Sequence, residues 1–123
     1  MPETRRMLVV DDEFGICEVL KQFFGPRGFT VDVAFSGEEA LAKLTRDPID
    51  ILLLDILLPG LSGIEVLRRA KAEHPGLRVV MITALDQEHL VSQATRHGAA
   101  GFLAKPFNFN DAVWSSSLFS SPA

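Results

Sequence analysis

The chain has 123 residues, 47% of them hydrophobic and 23% charged, with a formal net charge of −4. That length supplies one core and one domain, and the balance is that of a globular protein in water. Lys and Arg form no dense stripe, which argues against direct binding of nucleic acid, and no apolar run is long enough to span a bilayer. MLVV (7–10) is cut short by Asp11 and Asp12 and is no secretory segment. The single cysteine, Cys17, excludes an internal disulfide and fits a reducing compartment. A cytoplasmic protein without membrane contact is expected.

MLVVDD (7–12) is an apolar run closed by two acids. FGICEVLKQFF (14–24) carries Ile16, Leu20, Phe23 and Phe24 at helical spacing, which also makes Cys17 a packing residue rather than a reactive thiol. GPRG (25–28) stops that helix, and FTVDVAF (29–35) alternates as a strand does. Ser36 with Glu39 is a capping box opening a helix that ends at RDP (46–48). IDILLLD (49–55) does not alternate, so it reads as a strand buried on both faces. LPGLSG (58–63) is turn chemistry, and Ser62 with Glu65 is a second capping box for a helix carrying Ile64, Leu67 and Ala70 that stops at HPG (74–76). RVVMIT (78–83) is the fourth strand. ALDQEHLVSQATRHG (84–98) holds a helix with Asp86 as N-cap and Gly98 as the C′ residue. GFLA (101–104) is the fifth strand, and a last helix starts near Asn110.

Five strand–helix units without a repeat or linker predict an α/β fold: a five-stranded parallel sheet with helices on both faces and the flavodoxin-like order 2-1-3-4-5. Such sheets bind ligands beyond the carboxyl ends of their strands. There stand Asp11 and Asp12 after strand 1, Asp55 after strand 3, Thr83 after strand 4 and Lys105 after strand 5. Neighbouring strands lie about 4.8 Å apart, so the carboxylates are close. Two unit charges about 4 Å apart cost about 4 kcal/mol at an effective dielectric near 20. A raised pKa, a cation, or both must offset that cost. An all-Asp site suits a hard divalent ion such as Mg²⁺, and a site with Mg²⁺, an ammonium and a hydroxyl suits a phosphoryl group with one Asp as nucleophile.

LVVDDE (8–13), LLLDILLPGLSG (52–63), MITA (81–84) and GFLAKPF (101–107), in this order and spacing, resemble a response-regulator receiver domain of the CheY-like family over roughly residues 6 to 112. The strand order above is also that family's. The resemblance implies that Asp55 accepts a phosphoryl group from the phosphohistidine of a sensor histidine kinase or phosphotransfer protein. It implies Mg²⁺ held by Asp12 directly, by Asp11 largely through water, by Asp55 and by the Leu57 carbonyl. Thr83 and Lys105 would each contact a phosphoryl oxygen, Phe102 would be the aromatic switch partner of Thr83, and Lys105–Pro106 would be cis. Output to a downstream effector would pass through helix 4, strand 5 and helix 5. The chain would not be an enzyme acting on others, only a phosphoacceptor that promotes its own phosphorylation and dephosphorylation.

Each residue alone has a plainer reading. Asp11 and Asp12 cap helices, Asp55 is a turn residue, Thr83 a strand residue, Lys105 solvated, Phe102 core; their joint placement favours the site. His74, His89 and His97 share no metal-ligand spacing, and His74 and His97 suit helix C-termini. An aspartate-nucleophile phosphohydrolase needs an acid at position 57, which is Leu. A phosphorylation-independent interaction module with the same fold is the alternative. Leu57 and Leu85 cannot orient a hydrolytic water, so a long-lived phosphorylated form is expected. Residues 113–123 form an atypical Ser-rich tail after a domain at 1–112, read as a truncation remnant or appended residues. Trp114, Leu118 and Phe119 there would be partly exposed, an association risk or a homodimer contact.

Overall fold

Strand alternation divides the core in two. On β1 (Arg5–Val10) and β3 (Ile51–Asp55), Met7, Val9, Ile51 and Leu53 pack with Cys17, Leu20 and Phe24 of α1 (Phe14–Phe24). Leu8, Val10, Leu52 and Leu54 point the other way, against Ala40 and Leu44 of α2 (Gly37–Arg46) and Val66, Leu67 and Ala70 of α3 (Gly63–Glu73). The apolar run of β3 does not alternate because helices cover both its faces, and all five of its residues are buried.

The computed structural model describes residues 5–84 and 87–109. With β2 (Phe29–Ala34), β4 (Arg78–Thr83) and β5 (Gly101–Ala104) the sheet has five parallel strands in the order β2-β1-β3-β4-β5. This is the expected flavodoxin-like arrangement. The fourth helix, α4, spans Glu88–Arg96. The Asp86 cap, the last helix near Asn110 and residues 113–123 lie outside the described residues.

Local chemistry sets the boundaries. α1 closes into a 3₁₀ turn at Gly25–Arg27, and Gly28 at φ 96° reverses the chain into β2. Strand β2 stops one residue before Phe35, whose N–H donates to Glu39 Oε1 at 2.7 Å. Ser36 Oγ accepts from the Glu39 N–H at 3.1 Å, so this box closes with its return bond one residue upstream of the cap. The second box forms only by half. Ser62 Oγ accepts from the Glu65 N–H at 3.3 Å, but the Glu65 carboxylate turns to Arg68 and Arg69, whose guanidinium groups outcompete a backbone amide. Strand β3 starts at Ile51 rather than Ile49. His74 and His97 are the C-cap residues of α3 and α4, and Gly98 at φ 98° is the C′ residue. Cys17 is fully buried, its Sγ 3.4 Å from the Asp11 carbonyl, and burial pushes its thiol up to about 11. That is the chemistry of a packing residue.

Gly63 is required by packing rather than by its φ. A Cβ there would lie 2.8 Å from Ile56 Cα and closer still to the Asp55 carbonyl. Gly63→Ala therefore displaces the end of β3, and a loss of about 1–3 kcal/mol is expected in urea unfolding. Gly15→Ala, in α1 where a Cβ meets nothing within 4 Å, is expected to gain about 0.5–1 kcal/mol in the same measurement.

Candidate functional site

Strand register assembles the site. Val10 pairs with Leu54, so the next residue on each strand, Asp11 and Asp55, stands at one level. Val9 and Leu53, two residues earlier, face the α1 layer, and alternation puts both acids on that side. Asp55 ends β3 opposite Ile82, Thr83 ends β4 opposite Ala104, and the Lys105 N–H donates to the Thr83 carbonyl at 2.8 Å.

Carboxylate oxygens of Asp11, Asp12 and Asp55 lie within 4.8 Å of one another. Asp11 is fully buried, Asp55 is 7% exposed and Asp12 is exposed. Lys105 Nζ sits 2.9 Å from Asp11 Oδ2 and donates to Asp55 Oδ2 at 3.2 Å. Full ionisation leaves three negative charges against one positive charge. Burial first, and the Asp11 charge second, push the Asp55 carboxyl up to about 6, against the pull of Lys105 and of the Leu57 N–H 3.2 Å from Oδ1. Burial also opposes the charge on Lys105, but its bonds and charge pairing with Asp11 and Asp55 raise its pKa.

The residues fit a cation. Asp11 Oδ1 accepts from the Glu13 N–H at 2.9 Å, which is the part of a capping role that this acid plays. Its Oδ2 is buried and pairs with Lys105 Nζ at 2.9 Å. Three carboxylates, two of them buried, share a single ammonium and stay under-compensated, a donor set suited to a hard ion that takes oxygen ligands and keeps several waters. Asp11, Asp12 and Asp55 could hold Mg²⁺.

Of the sequence-predicted residues, the structure brings Asp11, Asp12, Asp55 and Lys105 together. Leu57 joins them through its backbone, with its side chain 56% exposed. Thr83 stands at the same sheet edge, but its hydroxyl is turned to Gln87 Oε1 at 3.0 Å. Phe102, opposite Met81 in the β4–β5 ladder, packs half-buried against the core layer of α2 and α3. Lys105–Pro106 is cis. Leu85 lies outside the described residues. Two positions escaped sequence reasoning: Gly63, taken for turn chemistry, and Gln87, buried at 8% exposure where an ordinary helix-start polar residue would be solvated. A buried amide so near Thr83 leaves no mark in spacing or composition.

A family model described as the response regulator receiver domain matches residues 7–114. The chain belongs to that family. The receiver is 34% identical over 106 residues to Sporulation initiation phosphotransferase F of Bacillus subtilis (strain 168), covering 86% of both chains. It is also 34% identical over 107 residues to response regulator SaeR of Staphylococcus aureus (strain USA300), covering 87% of this chain and 46% of SaeR. In structure it is similar to a CheY-like receiver domain protein from Methanospirillum hungatei JF-1, with TM-score 0.85, 30% identity and coverage of 92% of this chain and 90% of that one. Receivers of two-component systems are thus its relatives, and it spans less than half the length of SaeR.

The raised pKa of Asp55 carries a stability sign. Its folded value of about 6 exceeds the ordinary 3.8, so the contribution is fully present below about pH 4 and is lost as pH rises through 6. Asp55→Asn is therefore expected to stabilise the metal-free protein above pH 7, by about 1–3 kcal/mol at about 1.4 kcal/mol per pKa unit. The advantage shrinks toward pH 4, and urea unfolding of both proteins at several pH values checks it.

Proposed function

We propose that this receiver accepts a phosphoryl group on Asp55 in a Mg²⁺-dependent reaction and passes the signal on through its α4–β5 face. The observation that carries the reading is the buried Asp55 carboxylate, held between Lys105 Nζ at 3.2 Å and the acid cluster at the end of the sheet. Lys105 binds one Asp55 oxygen, and the Leu57 N–H binds the other, which fixes the carboxylate plane. Bound Mg²⁺ would offset the crowded negative charge and attract a phosphoryl oxygen.

In the transfer, an Asp55 oxygen forms a bond to phosphorus while the nitrogen–phosphorus bond of a kinase phosphohistidine breaks. The leaving imidazole takes up a proton. Lys105 then pairs with a phosphoryl oxygen, and Thr83 moves toward another, drawing on Phe102. Packing alone supports that coupling, since Phe102 has no hydroxyl. The switch is a population shift biased by these new contacts. Phe14, which opens α1 two residues after Asp12, stacks on Phe35, which follows β2, and both are exposed together with Leu57, apolar surface that suits a docked partner such as a sensor histidine kinase or phosphotransfer protein. The chain is a phosphoacceptor rather than an enzyme acting on a separate substrate. Among the described residues no helix is long and apolar enough to cross a membrane, and a cytoplasmic site of action accords with a kinase partner.

Incubation with acetyl phosphate and Mg²⁺, read by intact mass, is expected to add one phosphoryl group to wild type and none to Asp55→Asn or to wild type in chelator. No addition to wild type would favour a phosphorylation-independent interaction module. Once formed, the phosphorylated protein is expected to be long-lived, because the apolar Leu57 side chain cannot orient an attacking water. Decay within seconds in the same mass measurement overturns that expectation, and Leu57→Asn is expected to shorten the lifetime.

A further inference from the structure

The Gln87 side chain holds Thr83 by a bond whose direction is fixed. Its Oε1 lies 2.9 Å from the Ala84 N–H, a group that only donates, so an oxygen and not the amide nitrogen must face that way. The same Oε1 lies 3.0 Å from Thr83 Oγ1, and the hydroxyl must therefore donate to it. The Ala84 carbonyl, 3.2 Å from Oγ1, is the alternative acceptor for this single proton. Either way the proton that a phosphoryl oxygen would need is already engaged by another acceptor. Gln87 is buried, so water is a poor substitute partner for its oxygen. Its backbone carbonyl accepts from the Leu90 and Val91 N–H groups at 3.0 and 3.1 Å, the first bonds of α4. One residue thus grips the switch hydroxyl with its side chain and starts the output helix with its backbone.

We propose that Gln87 is a latch that stabilises the resting position of Thr83 and transmits its release to the start of α4. The inference rests on the receiver reading above. For Thr83 to reach a phosphoryl oxygen, the bond to Oε1 must break, and the order at Gln87 that it maintains is relaxed with it. Gln87 is a positioning residue, since its hydrogen bonds run to Thr83, Ala84 and the first turn of α4 and it acts on the site through Thr83.

The probe is beryllium fluoride with Mg²⁺, which imitates a phosphoryl group on a carboxylate, and the readout is its apparent affinity by titration. Gln87→Met keeps the length and apolar packing but removes the acceptor, and is expected to bind about threefold to tenfold more tightly than wild type. Gln87→Glu keeps an acceptor for both donors and is expected to restore affinity to near the wild-type value, a rescue that a purely structural role would not require. Equal affinity for wild type and Gln87→Met overturns the latch alone. Failure of wild type to bind, in a sample whose folding is verified by thermal unfolding, overturns the receiver reading and the latch with it. Should the variants not fold, nitrogen-15 spectra of wild type decide the matter. Saturating beryllium fluoride is expected to shift the Ala84 backbone amide and the Gln87 side-chain amide, and unmoved Gln87 signals overturn the proposal.

Discussion

Lys105 lies between two buried carboxylates, 2.9 Å from Asp11 Oδ2 and 3.2 Å from Asp55 Oδ2, and the arrangement of the whole sheet edge follows from that charge balance. Without the ammonium, two buried acids at neighbouring strand ends would face one another in a low-dielectric setting, where like charges are least tolerable. With it, one negative charge is offset and the rest remains. Burial, with the Asp11 charge second, raises the pKa of Asp55 to about 6, and an excess of buried carboxylate remains. A protein interior normally eliminates such defects. Here the fold retains one at the point where strand ends converge, in keeping with the phosphoacceptor and cation site proposed above.

Rigidity is what makes the imbalance useful. Asp55 is the last residue of a strand buried on both faces, and Asp11 follows a strand in register with it. Neither acid can swing away to relieve repulsion without disturbing ladder bonds and packed side chains. The more adaptable groups are at the periphery: Asp12 is exposed, and Thr83 is held by hydrogen bonds to Gln87 and Ala84 rather than by burial. On the reading proposed above, a frame of packed strands fixes the acceptor, and the polar groups at its rim respond.

Much of this was legible in the residues. The unbroken apolar run before Asp55 declared a two-faced strand, and turn chemistry at GPRG and HPG separated the units cleanly. The topology then forced Asp11, Asp12, Asp55 and Lys105 to one edge, because alternating strands and helices leave little freedom of order. Side-chain choices between competing partners were less legible. Glu65 has the spacing of a capping box yet binds two arginines one turn away, and spacing does not rank those bonds. Gly63 read as a turn residue, while its necessity arises from the Asp55 carbonyl and Ile56 backbone lying against it, a contact between segments that no local pattern records. Gln87 was hidden for the same reason: its burial depends on how α4 approaches β4.

The counter-charge comes from the far end of the domain. Asp11, Asp55 and Lys105 are separated by 44 and 50 positions along the chain, and the ammonium belongs to the residue just past β5. During synthesis the acids leave the ribosome long before their lysine does. A nascent chain that ended short of position 105 would hold the negative pair uncompensated, so the pocket can reach its native charge state only after β5 has joined the sheet. The charge state of the acid pocket is thereby tied to synthesis of the chain through position 105 rather than to the segments that carry the acids.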